Sequence, residues 1–296
     1  MVQVTLTRSD PLKVSAAAGA LAARLPLIVI EARRISSILA AGLHGRGRAG
    51  PGEAFWQYRN LMSGESTSRI DWRRSARHET TFFVREREWE SPHAFHLWID
   101  RSASMHFCST LAPLSKGDRA LIIGLALADL LVRSGESVAL MGLTRPTSSR
   151  HVINLFAEAM IAQPVDQHDE LPNHPLTSRS EAILIGDFLS PIDTLSKRLA
   201  SLSAQGAKGH LLQILDPAEL SFPFAGEAEL ISLEDNQRLD IGDAQSFRSI
   251  YLERMLSHRE SLHTLSAKIG WHLDEHLTNA PASDAVKNLL MRMVAR

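Results

Sequence analysis

Phe95-His96-Leu97-Trp98-Ile99-Asp100-Arg101-Ser102-Ala103-Ser104-Met105 is the stretch that decides the fold of this 296-residue chain. A largely apolar run ends on an aspartate, and serines follow at two-residue spacing. A short apolar run of this length reads as a buried strand. Asp100, Ser102 and Ser104 then alternate along an extended loop, so their side chains can point at one spot. One carboxylate and two neutral hydroxyls form an all-oxygen set. Such a set suits a hard cation like Mg²⁺, which keeps several waters and takes only one or two carboxylates. The plain alternative is that these residues cap the following turn, a position Ser and Asp favour.

Working outward, strand and helix patterns alternate from residue 95 to the end. Strands are expected at 95–99, 137–143, 182–186, 210–215 and 270–274. Helices are expected at 116–134, 151–162, 191–204, 245–269 and 282–294, with a hairpin over 228–241. Ser115 is suited to cap the first of these helices, in which Leu121, Leu125, Ala128 and Val132 form one apolar stripe. This alternation predicts a mostly parallel α/β sheet, Rossmann-like, covered by helices on both faces. Ligands in such folds sit at the carboxyl ends of the strands. Asp100, Asp187 and Asp216 each follow a strand, so one rim carries three carboxylates. Asp187 joins Asp100 as an expected ligand, because two close carboxylates repel unless a cation lies between them. Asp216-Pro217 reads as an ordinary turn.

Residues 1–90 have a different character. A helix is expected over 15–43, then a basic loop from Gly45 to Gly52, then a small β-rich annexe whose clearest strand is Thr80 to Val84. The loop matches G-x-G-x-x-G, but a helix precedes it where a dinucleotide site needs a strand, so it reads as a flexible connector. The domain division is therefore 1–90 for helix, loop and annexe, and 91–296 for the α/β domain. The first part holds 14 Lys/Arg against 9 Asp/Glu, and the second 18 against 24. The overall charge of −1 excludes a global field that gathers nucleic acid or anionic membrane. Cys108 is the single cysteine, so an internal disulfide is excluded and a reducing, cytoplasmic setting is expected. The longest apolar stretch, Val14 to Ile30, is interrupted by Arg24 and falls short of a membrane span. It reads as part of an amphipathic helix rather than a cleaved signal.

The D-x-S-x-S loop after the first strand, with a later strand ending in Asp187, resembles a von Willebrand factor A-type domain. The upstream residues narrow this. Gly52-Glu53-Ala54-Phe55, Tyr58-Arg59, Ser63-Gly64-Glu65, Arg69-Ile70-Asp71-Trp72-Arg73-Arg74-Ser75-Ala76-Arg77 and Val84-Arg85-Glu86 are similar to the bacterial domain-of-unknown-function family 58. So are Leu215-Asp216-Pro217-Ala218-Glu219-Leu220, Phe222-Pro223-Phe224 and Gly270-Trp271. The resemblance runs from about residue 30 to the end, and I-D-W-x-x-S-A-R is its specific part. It implies a metal-ion-dependent adhesion site of Asp100, Ser102, Ser104 and Asp187, holding Mg²⁺, with Mn²⁺ or Ca²⁺ as alternatives. The threonine that such domains supply from a middle loop has no match. Asp166, His168 and Asp169 occupy that region, and Thr177 lies too near the strand leading to Asp187. The resemblance further implies a MoxR-type AAA+ ATPase, or its client, as partner.

Three functions compete. The first is a non-catalytic protein-interaction module, in which a partner carboxylate completes the coordination of the cation. The second is nucleic-acid binding through the Arg69–Arg87 segment, where Arg69, Arg73, Arg74 and Arg77 surround Trp72. Against it stands an ion-pair network with Asp71, Glu79, Glu86 and Glu88. The third is a Mg²⁺-dependent phosphatase-like enzyme using Asp100 as nucleophile. Ser102 stands where that chemistry needs a second aspartate, and no general acid is evident, so the chain is read as no enzyme. Trp56, Trp72 and Trp89 are expected as core or interface anchors.

Overall fold

The computed structural model describes residues 11–44, 55–62, 66–76, 82–87, 93–163, 171–176, 180–231 and 237–294. Two compact units divide the chain, one formed by residues 1–45 with 93–296, the other by 46–92. Helix α1 (Pro11–His44) therefore groups with the α/β unit and not, as expected, with the annexe. The reason is its inner stripe. Leu21, Leu25, Ile28, Ala32 and Ile35 recur at helical spacing and are all buried in the main core. Burying each of the larger side chains contributes about 1.5–3 kcal/mol.

The smaller unit pairs β1 (Phe55–Asn60) antiparallel with β2 (Phe83–Arg87), and the short helix α2 (Trp72–Ser75) lies between them in sequence. Asp71 caps α2 by accepting the Arg74 N–H. Trp72 is 60% exposed and meets Phe82 edge-on at 6.0 Å. It is thus no core anchor. The Gly45–Gly52 loop, Trp89, Glu79 and Glu88 lie outside the described residues, as does the start of the expected 80–84 strand.

In the larger unit β3 (Ala94–Ile99), β4 (Ser137–Leu140), β5 (Ser180–Gly186), β6 (Lys208–Leu215) and β9 (His272–Leu277) form one parallel sheet. The order is β4-β3-β5-β6-β9. An antiparallel hairpin, β7 (Ala228–Ile231) with β8 (Arg238–Ile241), stands apart from it. Successive strand residues point to opposite faces. Phe95, Leu97 and Ile99 pack with α1, α3 (Lys116–Arg133), α4 (Val152–Ala162) and α8 (Ala282–Val294). Trp98, Leu184 and Leu211 pack with α5 (Ile192–Ser203) and α7 (Ala244–Lys268) on the other face.

α3 is buried along nearly its whole length because the sheet lies beneath it and α1 above. Gly124 permits the close approach: a Cβ there would meet Ile99 Cδ1 at 2.5 Å. Polar groups then fix α1 on α3. Arg24 Nη1 lies 2.7 Å from Asp118 Oδ2, and Ser36 Oγ donates to Asp129 Oδ2 at 2.7 Å. Among the described residues no helix is long and apolar enough to cross a membrane.

Two local readings change. The last strand starts at His272, because Gly270, at φ +72°, first closes the end of α7. Asp216-Pro217 opens a helix, α6 (Pro217–Ser221), through a capping box in which Glu219 answers the Asp216 backbone N–H.

Sheet order fixes where a ligand site belongs. After β3 the chain steps outward to β4, then crosses back to β5 on the other side of β3. The crevice between the carboxyl ends of β3 and β5 is the topological switch point. Asp100 and Asp187 each lie just past one of these two strands.

Candidate metal centre

The four residues expected to bind a cation come together at this switch point. The Asp100 backbone N–H extends the ladder by donating to Ile185 O at 2.8 Å. The Asp100 carboxylate turns back on its own loop, Oδ1 accepting the Ser102 N–H at 2.8 Å. Gly186 makes room for it, since a Cβ there would meet Asp100 Oδ2 at 2.9 Å. Ser102 Oγ and Ser104 Oγ lie 3.0 Å apart, sharing a hydrogen bond. The Ser104 hydroxyl also bonds to Asp187 and helps hold that carboxyl low. Asp100, Ser102 and Asp187 are buried, and Ser104 is partly exposed at the rim.

Asp187 is fixed from every side. Its Oδ1 accepts the Leu189 N–H, its carbonyl accepts Gln213 Nε2 at 2.8 Å, and its Oδ2 meets Lys116 Nζ at 2.8 Å. The next residue, Phe188, adopts φ +50°, a left-handed conformation that costs a side-chain-bearing residue about 1–3 kcal/mol. Its carbonyl bonds to His258 Nε2 of α7 at 2.7 Å. Strain of this kind persists only where the surroundings over-determine the backbone.

Lys116 is the residue the sequence reading missed. It is 1% exposed, and its ammonium bridges Asp187 Oδ2 and Glu219 Oε1, the latter at 2.7 Å. Burial alone would lower its pKa, but Asp187 and then Glu219 outweigh burial and raise it above the usual lysine range. Asp187 moves the other way: burial raises it, yet the Lys116 charge and hydrogen bonds win and lower it. At Glu219 burial prevails and the carboxyl is raised. One sequence signal was available. A lysine in the first turn of a helix opposes the helix dipole, and such a placement calls for a compensating anion.

Asp216, the third rim carboxylate, is fully buried and serves the scaffold. It accepts the Ser109 hydroxyl and backbone N–H, as well as the Ala218 N–H. This ties the segment after the D-x-S-x-S loop to α6. Arg101 turns away from the cluster to the carboxyl end of α4, where it donates to Met160 O. Asp166, His168, Asp169 and Thr177 lie outside the described residues. Among the described residues no three His, Cys, Asp or Glu side chains gather at metal-binding distances, so a cation here relies on the serine hydroxyls.

The donor set fits a small hard cation. Magnesium–oxygen bonds of about 2.0–2.1 Å in octahedral geometry place neighbouring oxygens about 3.0 Å apart. The Ser102 Oγ–Ser104 Oγ separation of 3.0 Å is that of their hydrogen bond, and it is compatible with such a set. Formal charges agree: Lys116, Asp187 and Glu219 together carry −1, so the resident ammonium does not neutralise the cluster.

Residues 57–261 match the family described as protein of unknown function DUF58. The chain belongs to this family. No curated protein matches this DUF58 chain. Among solved structures, it is similar to the crystal structure of conserved hypothetical protein BatB from Bacteroides thetaiotaomicron. The identity is 13%, the match covers 69% of this chain and 98% of that one, and the TM-score is 0.38.

Proposed function

We propose that this DUF58 chain is a von Willebrand factor A-like docking module, in which a divalent cation held by Asp100, Ser102, Ser104 and Asp187 captures a carboxylate of a protein partner. The observation that carries this is the placement of the hydrogen-bonded Ser102–Ser104 hydroxyls, with Asp100 and Asp187, at the switch point of the sheet. The cation supplies positive charge for a partner carboxylate. Asp100 and the serines hold it, while Asp187, fixed by Lys116, Leu189 N–H and Gln213, keeps its orientation. The reading is non-catalytic: the buried lysine is charged and paired, and is no nucleophile. The partner implied by the family resemblance is a MoxR-type AAA+ ATPase or its client.

Isothermal titration of the full chain with Mg²⁺, Mn²⁺ and Ca²⁺ tests the first half. Saturable binding is expected for the wild type, and its loss for Asp100→Asn with an unchanged circular dichroism spectrum. Wild-type heats indistinguishable from dilution for all three ions would overturn the site. Co-purification of a purified AAA+ ATPase of the MoxR type in Mg²⁺, lost in EDTA and with Asp100→Asn, tests the second half.

A second reading is nucleic-acid binding through the smaller unit. It is favoured by the exposure of Trp72 beside exposed Arg73 and Arg74, since an exposed ring among cations can stack on bases. It predicts affinity for oligonucleotides that falls steeply with salt and ignores EDTA.

A further inference from the structure

A cavity of about 140 Å³ lies at the carboxyl ends of β3 and β4, beside the crevice between β3 and β5. Ile99, the last residue of β3, forms one wall. Gly142 and Leu143, just past β4, form a second, and Met160 and Gln163, at the end of α4, a third. Space remains because the chain supplies no side chain at Gly142. This residue adopts φ +72°, and a Cβ added there would meet no heavy atom within 4 Å. Gly142 is exposed, so the cavity reaches the surface.

The end of a helix leaves carbonyls without partners. Arg101, which also lines the cavity, answers two of them: its Nη1 donates to Met160 O at 3.3 Å and to Gln163 O at 3.5 Å. With these satisfied, and with Ile99, Leu143 and Met160 around it, the space suits an apolar group. Its size suits one as well, since an engineered apolar cavity of about 150 Å³ in another protein takes up benzene. A single Leu, Ile or Met side chain is of that order.

The cavity and the candidate cation site share one run of chain. Ile99 and Arg101 line the cavity, and Asp100 stands between them. An extended peptide advances about 3.3 Å per residue. A peptide whose carboxylate meets an ion at Asp100 thus carries its flanking side chains past the cavity within one or two residues.

We infer that this cavity is a specificity pocket for the partner, taking a Leu-, Ile- or Met-sized side chain one or two residues from the acidic residue that meets the cation. This rests on the cation-docking reading given above. The occupant is an extended segment that pairs an acid with an apolar neighbour. The cation attracts any carboxylate, and the pocket chooses among them. Each methylene moved from water into apolar surroundings tightens binding about fourfold.

The test uses the full chain in Mg²⁺ and a phage-displayed library of nonapeptides with a fixed central Asp. Retained peptides are expected to carry Leu, Ile or Met at one position within two residues of that Asp. A synthetic peptide of the selected sequence is expected to bind at least about tenfold more tightly, by fluorescence anisotropy, than its counterpart with Ala at that position. Leu143→Trp and, separately, Gln163→Trp at an exposed position fill the cavity from two walls. In these variants the preference over Ala is expected to vanish, while dependence on the Asp and on Mg²⁺ remains. Retained peptides without an apolar preference beside the Asp overturn the pocket and leave the docking site standing. So does a preference that both folded variants keep. Retention that is absent in Mg²⁺, or untouched by EDTA, overturns the docking reading and the pocket with it.

Discussion

The indole of Trp271 lies directly against the backbone of Gly209, so closely that a Cβ added there would meet its ring at about 2 Å. The ring belongs to the residue before β9, the glycine to β6, and the two strands are neighbours in the sheet. Trp271 Nε1 donates to Ala207 O at 3.2 Å, which pins the ring in that place. A motif that in sequence is only Gly270-Trp271 is therefore a clamp: Gly270 turns the chain, and Trp271 covers the adjacent strand at the one position without a side chain.

Gly209→Ala is accordingly expected to destabilise the protein by about 1–3 kcal/mol, the usual cost of overpacking a filled core. Urea-induced unfolding followed by tryptophan fluorescence measures it. An unchanged midpoint would mean that the ring has room to shift.

A second expectation concerns acid. His276 is buried on β9, and burial followed by the nearby Arg119 charge pushes its pKa down to about 4 from 6.5, against the pull of Asp284. The folded state thus resists a proton that the unfolded chain accepts. The sign follows: the neutral histidine's contribution is complete above about pH 6.5 and is lost as pH falls through that value toward 4. At full extent the loss is about 3 kcal/mol. His96, lowered by burial and then by His174, acts in the same direction. Melting temperatures of wild type and His276→Gln between pH 7.5 and 4.5 test this. A flatter profile in the variant is expected, and parallel profiles would assign the acid sensitivity elsewhere.

The third concerns the I-D-W segment. Trp72→Ala is expected to change stability by no more than about 0.5 kcal/mol, since exposed substitutions seldom do more, and the ring is 60% exposed. Thermal denaturation decides it. A loss of several kcal/mol would show that the side chain is covered in solution.

Much of the site was legible because it depends on local rules. The D-x-S-x-S loop follows a buried strand, and Asp187 follows another, so parallel topology alone sends both to one rim. The fate of Asp216 was not legible. A strand-end Asp-Pro has the composition of a turn, and only the distant Ser109 reveals it as a buried cap. Trp72 failed in the opposite sense: a large aromatic within a motif suggests a core, yet in a four-residue helix it stays exposed.

The sequence by itself determined the alternation of strands and helices from Phe95 onward, the parallel sheet, and the placement of Asp100 and Asp187 at the carboxyl ends of two strands. Periodicity and strand-end position are short-range properties, written within about ten residues of each feature. Only the tertiary structure decided that α1 docks on α3, that Asp216 is buried, and that Lys116 reaches Asp187 and Glu219, 71 and 103 positions away. A lysine at a helix start looks solvated until the fold closes over it. What then keeps it charged is the arrival of two distant carboxylates, one just past β5 and one in α6, which no local pattern encodes.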